Sequence, residues 1–287
     1  MSNRLRIAWL ADGERLHLQD GPTDLIIRAF GEPPQIARAY ECAIARMRNV
    51  LDELCDELPI LRRPAPQTPA GIVARRMSEA VRPFSTTRFI TPMAAVAGAV
   101  ADEILAAMLE AGPLSRAFVN NGGDIALHLN HGERFTAGMV NRPDLPSIAG
   151  TVTIDADSQS RGIATSGWRG RSHSLGIADA VTVTAQNAAA ADAAATMIAN
   201  AVDLPGHAEI RRVPATSLSP VSDLGERLVT VGVGALSTTS CIIALGRGVI
   251  RAEELIARGL INAAALFLGN ESRMVCALPS NMEMHIA

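Results

Sequence analysis

Within the alanine-rich run 188–202, Asp192 and Thr196 stand four positions apart. On a helix that spacing stacks them one turn apart, with about 5–6 Å between Cβ atoms. A carboxylate and a hydroxyl so placed can both reach one hard cation such as Mg2+, which takes oxygen ligands and keeps waters or substrate phosphates in its other positions. The same two residues also suit a plain helix, where an Asp near the start complements the dipole and a Thr bonds back to an earlier carbonyl. A second constellation is Asn121-Gly122-Gly123-Asp124. Its glycines allow a turn that aims backbone N–H groups at phosphate or ring-carbonyl oxygens, although Asn-Gly is equally a strong hairpin signal. In a third, Thr165-Ser166-Gly167 forms a polar, bendable turn, and His173 follows among serines and arginines ahead of a strand bearing Asp179. A histidine in such a loop is either a general base, a ligand contact or simply exposed. His128 and His131 lack a third ligand nearby, and the glycines from Gly232 onward lack the helix and lysine of a phosphate loop.

These residues must be carried by elements that the pattern partly defines. Residues 4–28 read as two short strands around turns at Asp12-Gly13 and Asp20-Gly21, with the 24–30 run the better strand. Pro33-Pro34 opens a helix whose apolar stripe runs from Ile36 through Met47 to Leu58 at three-four spacing. Four prolines between Leu58 and Gly71 predict an extended connector. A second helix is expected from Pro92 to Gly112-Pro113, its first half lined by small residues on all sides and therefore buried. From Phe118 the pattern turns to short strand-like runs up to Ala185, followed by the alanine helix and a proline-containing loop over 212–220. Strand-like 228–233 and 238–245, a helix around 252–268 and a last strand-like run at 274–278 complete the chain. Strands arrive in runs rather than alternating with helices, which predicts an α+β fold with mixed or antiparallel sheets packed against helices.

The chain has 287 residues, of which 48% are hydrophobic and only 3% aromatic, so its core must be built from Ala, Val, Leu and Ile. Length alone allows about two domains of ~150 residues. A net charge of −3, with no basic cluster interleaved with aromatics, points away from nucleic acid and from an anionic membrane surface. The opening residues lack a signal-peptide pattern, and the longest uncharged apolar run stops at Asp102, short of a bilayer span. Four scattered cysteines without a C-x-x-C pair suit a reducing compartment, and the expected location is cytoplasmic. The oligomeric state is left open, a homo-oligomer included.

Taken in order, Asn121 to Ile125, Ala164 to Gly167, Ser172-His173, Val181 to Val183 and Ala191 to Thr196 resemble the motifs of the ApbE superfamily, which transfers FMN from FAD to a threonine of a target protein. Residues 90–102 look like the hallmark of an uncharacterised, cytoplasmic ApbE-related branch. The resemblance reaches from about Ile90 to Val202 and implies one ApbE-like domain, in which 1–70 supply strands, a helix and the connector and 71–287 form the core. It implies FAD and Mg2+ as cofactors and a flavin nucleotide as partner, with a target protein as acceptor of FMN. Asp192 and Thr196 would hold the metal, together with a carbonyl from within Met93 to Ala97. Asn121, Gly122, Gly123, Asp124, Thr165, Ser166 and Gly167 would line the flavin nucleotide, and His173 and Asp179 would be catalytic. The chain departs from the transferases where Ser-His is not followed by Asp-Pro, where Ala97-Gly98 stands in place of Lys-Gly, and where the Met-Gly-Thr opening is missing. The implied activity is FMN transfer or FAD pyrophosphate cleavage, with a non-catalytic flavin- or nucleotide-binding protein as the alternative.

Overall fold

Leu16 and Leu18 alternate with half-buried His17 and Gln19, and Leu25 and Ile27 alternate with Asp24, Ile26 and Arg28. A period of two with one buried face makes strands whose register is set by the core. The computed structural model describes residues 4–64, 68–86, 88–142, 147–277 and 282–286. In it β1 (Arg6–Trp9), β2 (Leu16–Asp20) and β3 (Thr23–Phe30) form a meander of three strands, where the two turn signals suggested two. They open a nine-stranded sheet that continues through β4 (Arg116–Asn121), β5 (Asp124–Leu129), β8 (Gly162–Ser166), β9 (Ala180–Ala185), β12 (Ala263–Leu268) and β13 (Glu271–Cys276). Every neighbouring pair in it is antiparallel.

Helices cover one face of this sheet. Helix α1 (Pro33–Asp56) buries Ala39, Tyr40, Ala43, Met47, Val50 and Leu54, one stripe of its circumference. A 3-10 turn over Pro92–Ala95 leads into α4 (Val96–Leu109), and α5 (Ala188–Ala201) and α7 (Thr238–Ala257) complete the layer with α3 (Ile72–Val81). The opposite face of the middle strands is covered by a three-stranded sheet of β6 (Arg134–Val140), β7 (Ile148–Asp155) and β14 (Met282–Ile286). Strands β9 and β12, sandwiched between the layers, are buried at every residue and so read as continuous apolar or small runs. The 18-residue segment Pro92–Leu109 is apolar and long enough by composition to cross a bilayer, and most of it is buried under neighbouring elements.

The α+β expectation holds, with several elements corrected. Pro59 starts the short helix α2 (Leu58–Leu61) rather than forbidding helix, because proline is tolerated in a first turn. Part of the expected connector, 65–67, lies outside the described residues. Helix α3, which the sequence reading passed over, buries Val73, Ala74, Met77 and Val81. The 212–220 loop is instead the end of β10 (Ile210–Pro214) and a turn of helix, α6 (Ala215–Leu218), with β10 paired to β11 (Leu228–Val233). Residues 238–245, read as a strand, begin α7 because Ser237 caps that end by accepting from Ser240 N. The helix expected over 252–268 stops near Gly259, whose φ of 68° ends it, and the remainder becomes β12.

Candidate functional site

Gly122 and Gly123 have φ of 65° and 115° and form a two-residue turn joining β4 to β5, with Asn121 and Asp124 paired across it. Positive φ at both central residues is what a primed hairpin turn demands. The Gly123 N–H donates to Asn120 Oδ1 at 2.8 Å, so that donor is already engaged within the turn. Asn121, buried, points its amide into the helix layer and donates to the Ala97 carbonyl at 3.1 Å. Asp124, also buried, accepts from Thr165 N at 3.2 Å on the neighbouring β8. Thr165 spends its hydroxyl on Thr182 at 2.9 Å, whereas the Ser166 hydroxyl lies 3.5 Å from that of Thr196 on α5.

Helix α5 is alanine-rich because α4 lies directly on it. A Cβ on Gly98 would collide with the Ala188 carbonyl, so two backbones touch where the helices cross. Each helix then caps the other. Asp102 on α4 accepts from Ala188 N at 3.0 Å and Ala189 N at 2.9 Å, while Asp192 on α5 accepts from Gly98 N at 3.1 Å and from Ala97 N. Carboxylates at helix starts satisfy orphan amides and meet the positive end of the dipole. Asp192 therefore has a structural task that the four-residue spacing did not reveal. Gly98 within the small-residue helix hinted at a close backbone approach, but nothing in the spacing named Asp192 as the cap.

Asp192 and Asp124 also face each other. Burial pushes the Asp124 carboxyl up to about 7, and Asp192 is raised well above the ordinary carboxylate range by burial first and by the charge of Asp124 second. Two like charges in a recessed setting are unfavourable unless a proton or a cation lies between them. Together with Thr196 and Ser166 the donors are all oxygen, which is the chemistry of a hard cation rather than a soft one. The residues present thus fit Mg2+, with Asp192 and Thr196 as the side chains that would hold it and Asp124 opposite. Within residues 93–97, the carbonyls of Met93 and Ala97 already accept hydrogen bonds from Val96 N and Asn121. Among the described residues no three His, Cys, Asp or Glu side chains group as a metal cluster, and His128 and His131 do not converge, the former bonding to the Leu114 carbonyl and the latter standing in solvent.

The structure brings together Asn121, Asp124, Thr165, Ser166, Asp192 and Thr196, and among the described residues no hydrogen bond joins the side chains of Asp179 or His173 to them. Asp179 is buried and occupied: its carboxylate accepts from Trp168 Nε1 at 3.1 Å, Arg169 Nε and Gly269 N at 2.7 Å. It ties the base of the 167–179 loop, with both carboxylate oxygens engaged by these donors. Gly167 is needed where it is because a Cβ would strike the Asp179 carbonyl. His173 lies at the exposed tip of that loop and makes no hydrogen bond among the described residues. Two cavities, of about 190 and 270 Å³, lie against α3 and at the start of α5. Neither is walled by Asp124, Asp192 or Thr196, so the oxygen-lined notch between the β4–β5 turn and the α4–α5 crossing is separate from both.

Fold and site together define an α+β protein in which two crossed small-residue helices hold an acidic, oxygen-lined notch over the ends of antiparallel strands. The chain belongs to the family described as AbpE bacteria, which matches residues 7–274. It is 35% identical over 182 residues to a UPF0280 protein of Methanopyrus kandleri, covering 62% of this chain and 70% of that one. A UPF0280 protein of Methanothrix thermoacetophila is 36% identical over 184 residues, with 62% and 73% covered, and one of Methanothermobacter thermautotrophicus is 38% identical over 136 residues, with 47% and 50% covered. Among solved structures, a point variant of the flavin transferase ApbE from Vibrio cholerae matches with a TM-score of 0.47 at 12% identity, over 92% of this chain and 98% of that one. The ApbE-related membership expected from the motifs is borne out by the family match.

Proposed function

We propose that this chain is an Mg2+-dependent, ApbE-like protein that binds FAD at the notch and acts at its pyrophosphate. The observation that carries the reading is the facing pair Asp124 and Asp192, backed by the Thr196 and Ser166 hydroxyls. A bound divalent cation would supply charge neutralisation for the phosphates. Asp192 and Thr196 would hold it from consecutive turns of α5, with Asp192 oriented by the amides of Ala97 and Gly98. Asp124 is fixed by Thr165 N, and the Asn121 side chain locks the α4 end of the notch through Ala97. Acceptor oxygen, from a protein threonine or from water, attacks the FMN phosphorus as the phosphoanhydride bond to AMP breaks. His173, at the exposed tip of a loop whose base Asp179 ties through Trp168 and Arg169, is the group assigned to take the acceptor proton once the ligand is bound, with Asp179 as a positioning residue. With the full chain, FAD and Mg2+, the expected products are FMN and AMP, or AMP with FMN attached to an acceptor protein.

A second reading, a non-catalytic flavin or nucleotide carrier, is favoured by Asp179 being tied by Trp168, Arg169 and Gly269 and His173 having no partner among the described residues. It expects FAD to bind saturably and stay intact over hours in the same incubation.

A further inference from the structure

The loop between β8 and β9 is pinned at both ends and bare in the middle. At one end Trp168 N donates to the Ala178 carbonyl at 3.0 Å, and Arg169 stacks on the Trp168 ring while it donates to Asp179. At the other, Ser174 Oγ and Leu175 N both donate to Asn200 Oδ1, at 3.2 and 2.9 Å. Between the pins, residues 170–173 are exposed. Arg169 is thus occupied, whereas Arg171 makes no hydrogen bond or ion pair among the described residues. Its guanidinium nevertheless has a defined place. It rests on the hairpin tip, where a Cβ on Gly122 would lie 2.6 Å from an Arg171 terminal nitrogen, and its charge reaches Asp124.

An arginine lying beside a carboxylate without closing an ion pair keeps its donor fork open. If a divalent cation matches the charges of Asp124 and Asp192, the charge of Arg171 at the mouth is unmatched, and the group it suits is a planar or tetrahedral oxyanion taken through two N–H donors. We propose that Arg171 is the specificity-determining residue of the notch, selecting phosphate-bearing ligands by taking a phosphate oxygen from the side opposite Asp192 and Thr196. Gly122 is part of the device, since any side chain there would displace the guanidinium. This inference rests on the reading of the notch as a Mg2+–nucleotide site.

The test is calorimetric binding of FAD, ADP and riboflavin to the full chain with Mg2+, in wild type, Arg171→Ala, Arg171→Lys and Gly122→Ala. A hydrogen bond to a charged group contributes about 1.5–3 kcal/mol, so Arg171→Ala should weaken FAD and ADP about 10- to 100-fold and leave riboflavin unchanged. Arg171→Lys should recover part of the loss, and Gly122→Ala, checked by thermal melting for folding, should mimic Arg171→Ala. Wild-type affinity for ADP should fall more steeply with salt than that of Arg171→Ala. If Arg171→Ala binds FAD and ADP as the wild type does, the role of Arg171 is overturned while the site reading stands. A matching loss for riboflavin would overturn it too, as a merely structural effect. Wild type that binds neither FAD nor ADP overturns the nucleotide reading of the notch and this inference with it.

Discussion

Asp192 shows how one side chain answers to two demands. Its carboxylate caps α4 through Gly98 and Ala97 and at the same time confronts Asp124. Replacing it by Asn keeps an acceptor for the Gly98 amide and removes the like-charge opposition, so the metal-free variant should melt at or above the wild-type temperature. A cation at a hundredfold excess over its Kd adds about 2.7 kcal/mol, or roughly 4–5 °C for a domain of this size, and Asp192→Asn should lose that Mg2+-dependent shift. Equal shifts in both proteins would make the spacing of Asp192 and Thr196 a coincidence of helix capping. Asp102 carries a different signature. Burial raises it to about 6 against two amide donors that pull it down. A folded value above the unfolded one means the native state holds its proton longer, so this group's contribution is full below about pH 4 and is lost as pH rises through about 6. Asp102→Asn should flatten that part of the urea-midpoint profile between pH 4 and 6, and a slope unchanged by the substitution would assign it to other groups.

At the scale of elements, the crossing of α4 and α5 decides the site. The helices meet at Gly98 and Ala188, and Gly162 and Gly176 similarly let strand β8 and the following loop press on the backbone of Asn187 and Ala199. Gly98→Ala would gain helix propensity in isolation, yet here its methyl must part the helices, at a cost of about 1–3 kcal/mol. A lowered melting temperature together with weakened Mg2+ stabilisation is the expected pair of changes, because the capping amides move with α4. An Ala variant as stable as the wild type would show that the crossing can relax. The small-residue character of both helices was legible in the sequence, as was the hairpin at Gly122-Gly123. The capping was not, since it joins Gly98 to Asp192 and Asp102 to Ala188 over stretches of sequence with no shared pattern. Helix α7 was misread for a related reason: Cys241-Ile242-Ile243-Ala244-Leu245 is an apolar run that suits a buried strand as well as a helix, and only the Ser237 cap and the packing on β12 and β13 select the helix.

For the whole molecule, strands from Arg6 to Cys276 share one sheet, and the N-terminal meander pairs β3 directly to β4, the strand that leads to Asn121. Residues 4–30 therefore fold onto the same core as the motifs, and the expectation is a single unfolding transition with coincident near- and far-ultraviolet circular dichroism. Two separated transitions would instead mean that the N-terminal part melts by itself.

Composition and periodicity alone settled an aromatic-poor α+β protein, and the order of five short motifs was enough to point to its family, because local turn chemistry and strand alternation act within a few residues. Which carboxylates face one another, which amides they cap and which candidates are tied up elsewhere came only with the tertiary structure. Those relations are set by burial and by backbone contact between segments up to about ninety residues apart, such as Gly98 with Asp192 and Asp179 with Gly269, and neither desolvation nor a helix crossing leaves a mark on residue spacing.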